Sequence, residues 1–71
     1  MKLLLFRTDI KTKKKIKALK PLFNTQVITN WSVDTEDVDN VLRIEAEEHV
    51  NEHEVIELIE ASGHFCEPLP D

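Results

Sequence analysis

Six lysines fall within residues 11–20: Lys11, Lys13, Lys14, Lys15, Lys17 and Lys20. Ammonium groups at that density bind anions or dock acidic surfaces. Thr12 sits among them with the side chain of a helix N-cap, so the lysines that follow would crowd a helix's first turn. There each opposes the helix dipole at a cost of about 0.3–1 kcal/mol, while free backbone N–H groups beside the ammoniums suit a phosphate or carboxylate. Three readings follow: a solvated basic helix face, a docking patch for an acidic protein, or a small-anion site at the N-terminus of helix one. The contact residues of the second and third are Lys11, Thr12, Lys13, Lys14, Lys15 and Lys17.

His64 and Cys66 are the other residues whose types allow chemistry, here soft-metal ligation. Cys66 is the sole cysteine. A lone cysteine is more often a small buried hydrophobe than a reactive group, and a histidine after a glycine turn is by default a surface residue. His49 and His53 stand four apart, but Asn51 as an N-cap would leave His49 outside the helix. The acidic stretch Asp34, Glu36, Asp37 and Asp39 lacks the mid-loop glycine and closing glutamate of a calcium loop, and reads as a solvated turn. With no glycine-rich phosphate loop and nothing to orient a Cys–His pair, the expectation is a protein that is not an enzyme and holds no cofactor.

The elements that must position these residues follow from the pattern. Leu3 to Phe6 is an apolar run too short for a helix and reads as a buried strand continuing to about Ile10. Ile16, Leu19 and then Leu22 or Phe23 recur at helical spacing, and Pro21 is expected to end or kink that helix near its C-terminal turn. Gln26 to Asp34 is β-branched and aromatic, a second strand containing Trp31, for which burial in the core is expected. A polar turn over 35–40 leads to a third strand, Val41 to Glu47, where Leu42, Ile44 and Ala46 alternate with charged residues. The short link predicts an antiparallel hairpin. Asn51 and Glu54 fit a capping box ahead of the stripe Val55, Ile56, Leu58 and Ile59. Gly63, the sole glycine, sits where a helix C-terminus needs positive φ. Phe65-Cys66 makes a short last strand, terminated by Pro68 and Pro70.

With 71 residues there is room for one domain, residues 1–71, with one core layer between sheet and helices. The single cysteine suits a reducing compartment, and the apolar N-terminal run is too short for a signal peptide or membrane span, so a cytoplasmic location is expected. The net charge of −5 hides a strong polarity. Residues 1–24 carry eight basic groups and one acid, whereas residues 25–71 carry one basic group and thirteen acids. Nucleic acid is not expected as a partner: strand three has no stacking aromatic and carries Glu45 and Glu47.

The order β-α-β-β-α-β resembles the heavy-metal-associated domain of copper chaperones and copper pumps. Ile28-x-x-Trp31-x-Val33-Asp34 is similar to that family's second strand, V-x-x-V-x-V-[N/D]. Val55-x-x-x-Ile59-x-x-x-Gly63 resembles the close of its second helix, and Gly63-His64-x-Cys66 sits where the family commonly has Gly-Tyr-x-Ala. The resemblance implies an α+β ferredoxin-like sandwich, a four-stranded antiparallel sheet with two helices on one face. It also implies that Cys66 replaces a core alanine and that His64 lies near the loop after strand one. In the family that loop is M-x-C-x-x-C and binds metal; here Ile10, Thr12 and Lys15 occupy its key positions. A threonine hydroxyl cannot replace a soft thiolate, and a lysine ammonium repels a cation. The expectation is a non-enzymatic domain that has lost the usual metal site and uses its basic helix-one face to bind an acidic protein. The alternatives are a divergent copper carrier using His64 and Cys66, or the small-anion binder.

Overall fold

A computed structural model describes residues 1–69. The chain order is β1 (Lys2–Thr8), α1 (Lys13–Leu19), β2 (Ile28–Asp34), β3 (Val41–Ala46), α2 (Glu52–Ala61) and β4 (Cys66–Pro68). The sheet runs β2-β3-β1-β4, and each neighbouring pair is antiparallel. This is the ferredoxin-like βαββαβ sandwich. Alternation along the central strands decides its faces. Leu4 and Phe6 of β1 and Leu42, Ile44 and Ala46 of β3 point to one side, where they form a single core with Leu19 of α1 and Val55 and Ile59 of α2. Both helices therefore cover the same face. Leu3, Arg7 and Arg43 lie exposed on the other. Among the described residues, no helix is long and apolar enough to cross a membrane.

The caps form as their residue types dictate. Thr12 Oγ1 accepts from the Lys15 N–H at 3.2 Å, and α1 begins at the next residue, Lys13. Asn51 Oδ1 accepts from the Glu54 N–H at 2.9 Å. The reciprocal half of the predicted capping box is altered: Glu54 Oε1 takes the Asn51 side-chain amide at 3.2 Å. At the other end of α2, the Gly63 N–H donates to the Glu60 carbonyl and the His64 N–H to the Ile59 carbonyl, a Schellman closure. Gly63 has φ of +90°. A Cβ added there would meet nothing within 4 Å, so the penalty of substitution is purely conformational. Gly63→Ala is accordingly expected to lower stability by about 1 kcal/mol, measured by chemical denaturation, with the folded spectrum otherwise unchanged.

Several strand bounds differ from the sequence pattern, each for a tertiary reason. β1 stops at Thr8 instead of continuing to Ile10 because the Thr8 hydroxyl takes the Ile10 N–H at 3.2 Å and turns the chain. Ile10 nevertheless enters the core, fully buried, from the loop. β2 starts at Ile28, two residues later than Gln26, next to a bulge between Ile28 and Asn30 where the Thr29 hydroxyl donates to the Glu45 carbonyl. β3 ends at Ala46, one residue before Glu47. The last strand is Cys66–Pro68: it starts at Cys66, one residue later than Phe65, and Pro68 is its last residue. The strand is at the sheet edge, where a missing N–H costs no ladder bond, and pairing resumes as the Leu69 N–H donates to the Leu5 carbonyl. Pro70 lies outside the described residues.

Candidate functional site: the lysine loop and the basic helix

The lysine-rich segment forms the β1–α1 loop and α1 itself. Leu19 is fully buried and Ile16 partly so, and these two hold the helix on the core. Lys11, Thr12, Lys13, Lys14, Lys15, Lys17 and Lys20 are all exposed. Among the described residues, none of these lysines lies within ion-pair distance of an acid. Their ammoniums are thus held together on one surface without internal neutralisation. The positive end of the helix dipole opposes Lys13, Lys14 and Lys15, and the first turn of α1 contains no acid to offset them; Lys17 lies in the last turn, at the favourable end. Thr12 is occupied as a cap: its hydroxyl serves Lys15 and its carbonyl takes the Ile16 N–H at 3.0 Å.

Asp9, which the sequence reading merely counted as an acid, ties this loop to the α2–β4 connection. Its Oδ1 accepts the Phe65 N–H at 3.0 Å and lies 3.5 Å from His64 Nδ1. His64 does lie beside the β1–α1 loop, but facing a carboxylate, and its side chain is only 14% exposed. Asp9 is the one acid in a basic stretch, and that oddity was the available signal for a structural role.

Cys66 is buried at the start of β4, in the core as expected of it. Burial, then the nearby charges of Glu60 and Glu67, push its thiol up to about 12. At neutral pH it is a thiol, whereas soft metals bind the thiolate. Among the described residues there is no cluster of three or more His, Cys, Asp or Glu side chains that could hold a metal ion.

Two further residues, Trp31 and Asn40, bear on the surroundings of this segment. Trp31 stands in register with Ile44, so it belongs to the helix side of β2, half-buried with its ring 5.1 Å from that of Phe23. Shallow depressions of about 230 and 320 Å³ flank it, away from His64 and Cys66. A second polar anchor that sequence reasoning missed is Asn40. It has φ of +45°, and its carbonyl accepts the buried Thr8 hydroxyl at 2.7 Å, locking the β2–β3 turn to the end of β1. Asparagine tolerates that backbone conformation, which was the signal available.

No family model matches the sequence, and no curated protein matches it. Among solved structures, the chain is similar to a chain of the solution structure of the Atx1–Cu(I)–Ccc2a complex. The two are 19% identical, the alignment covers 100% of this chain and 99% of that one, and the TM-score is 0.74. At this identity the likeness is one of fold, and it extends over the whole domain. The chain therefore has the heavy-metal-associated type of ferredoxin-like fold, and with a single cysteine it has no C-x-x-C pair.

Proposed function

We propose that this domain is a non-enzymatic protein-interaction module that has given up the metal site of the fold and docks an acidic protein surface through α1 and the loop before it. The observation that carries this reading is the set of six exposed lysines of residues 11–20, none of them paired with an acid among the described residues. Like charges at this spacing repel one another, and an acidic partner relieves that repulsion while the field speeds encounter. The similarity to a chain of a protein–protein complex supports the same use of the fold. Loss of the metal site is supported by the types of the loop residues, Ile10, Thr12 and Lys15, and by the protonated, buried state of Cys66.

The test is affinity capture with the wild-type domain and with a Lys13→Glu/Lys14→Glu/Lys15→Glu variant, the retained proteins being compared and their binding remeasured in isolation. The variant is expected to lose an acidic binder at least about 100-fold, and wild-type binding is expected to weaken steeply with added salt. An identical set of partners retained by both proteins with equal affinity would overturn the reading.

A further inference from the structure

The two helices present opposite charges, each as a like-charged pair three residues apart. On α1, helical spacing sets Lys14, Lys17 and Ala18 away from buried Leu19. On α2 the same spacing sets Glu54, Glu57 and Ala61 away from buried Val55 and Ile59. All six are exposed. Each stripe holds a pair of like charges three residues apart, followed by an alanine one residue on in α1 (Ala18) and four residues on in α2 (Ala61). Among the described residues no ion pair joins one helix to the other; Glu57 Oε1 meets His53 Nε2 of its own helix at 2.8 Å. Leu58, on the flank of the acidic stripe, is 37% exposed and adds apolar surface.

Topology fixes the relative direction of the stripes. β1 and β3 are antiparallel, and each begins a crossover to a strand parallel to itself, β2 and β4 respectively. The two return helices therefore run in opposite directions across one face. A two-fold axis lying in that face, parallel to the helices, sets α1 of one copy over α2 of a second, and the reverse contact forms at the same time. The perpendicular in-plane axis would set lysine on lysine and glutamate on glutamate. Electrostatics selects the first arrangement and excludes the second.

We propose that the helix face is self-complementary, and that a second copy of this chain docks on it with Lys14 and Lys17 of each copy against Glu54 and Glu57 of the other. The inference rests on the reading of α1 as a docking face and names one acidic partner for it, a chain of net charge −5. The helices are about 10 and 15 Å long. The contact is therefore smaller than the ~800 Å² per partner of a standard interface, and the dimer is weak and salt-sensitive.

Sedimentation equilibrium at up to about 1 mM protein, in about 20 mM and about 500 mM salt, reads it out. The wild-type chain is expected to dimerise at low salt and to dissociate at high salt. Lys14→Glu/Lys17→Glu alone and Glu54→Lys/Glu57→Lys alone are each expected to weaken self-association at least about tenfold, since each presents like charges to its own copy. An equimolar mixture of the two variants is expected to form the heterodimer, because the reversed charges again meet their opposites. Circular dichroism confirms that each variant is folded, and the neutral pair Lys14→Gln/Lys17→Gln, expected to weaken the dimer in the same direction, serves if a reversal unfolds the chain. A wild-type monomer throughout, association insensitive to both reversals, or a mixture that stays monomeric would each overturn the inference. A wild-type monomer whose Lys13→Glu/Lys14→Glu/Lys15→Glu variant still loses a captured acidic protein would leave the docking reading standing and remove the second copy alone.

Discussion

Phe6→Ala is expected to remove about half of the domain's stability. Phe6 is fully buried in β1, one of the two central strands, where it stands in register with Leu42 of β3 and Pro68 of β4. Truncating a buried phenylalanine removes its transfer free energy and leaves a cavity, together about 3–5 kcal/mol. A domain of 71 residues has a total stability on the order of 4–10 kcal/mol. The loss is thus roughly half of the whole. Denaturant titration followed by circular dichroism measures it directly. Leu3→Ala is the matched control: it lies in the same strand on the opposite face, is 50% exposed, and is expected to change stability by less than about 1 kcal/mol. Equal losses at the two positions would show that the assignment of the sheet's faces is wrong.

The Cys66 thiol of the folded protein is expected to react with iodoacetamide at pH 8 about a thousandfold more slowly than the same thiol in the unfolded chain. The nucleophile is the thiolate. With the thiol moved from its ordinary 9.0 to about 12, the ionised fraction at pH 8 falls from roughly 10⁻¹ to roughly 10⁻⁴. Burial of the sulfur adds a steric barrier in the same direction. Mass spectrometry of the alkylated product in native buffer and in about 6 M guanidinium gives the ratio. The same shift links stability to pH. Between pH 9 and about 12 the unfolded chain gives up a proton that the folded protein keeps, so stability falls as pH rises through that window. The slope is at most about 1.4 kcal/mol per pH unit. Cys66→Ala should abolish this component of the pH dependence. Rapid native alkylation would place Cys66 at the surface and reopen soft-metal ligation by this residue.

The lysines, the acids and the helix ends were legible early because their causes are local. A cap needs one side chain and an N–H three residues on, as at Thr12 and Asn51, and a glycine closure needs one positive φ, as at Gly63. The alternation of Leu42, Ile44 and Ala46 announces its own face through the period of the strand. The extent of the last strand, Cys66–Pro68, was not legible, because it depends on which residues of β1 lie beside it.

What the sequence by itself determined is the order of elements, β-α-β-β-α-β, and the separation of basic from acidic residues along the chain. Each follows from residue type and spacing over a few turns of chain. What only the tertiary structure decided is how distant segments meet. The Asp9 carboxylate takes the amide of Phe65, 56 residues away, and the Thr8 hydroxyl donates to the carbonyl of Asn40, 32 residues away. Trp31 is set on the helix side of β2 by its register with Ile44 and its contact with Phe23. The basic and acidic helices share one face, antiparallel and unpaired, because the two crossovers return over the same side of the sheet. These juxtapositions depend on strand order and register, which no short window of sequence contains.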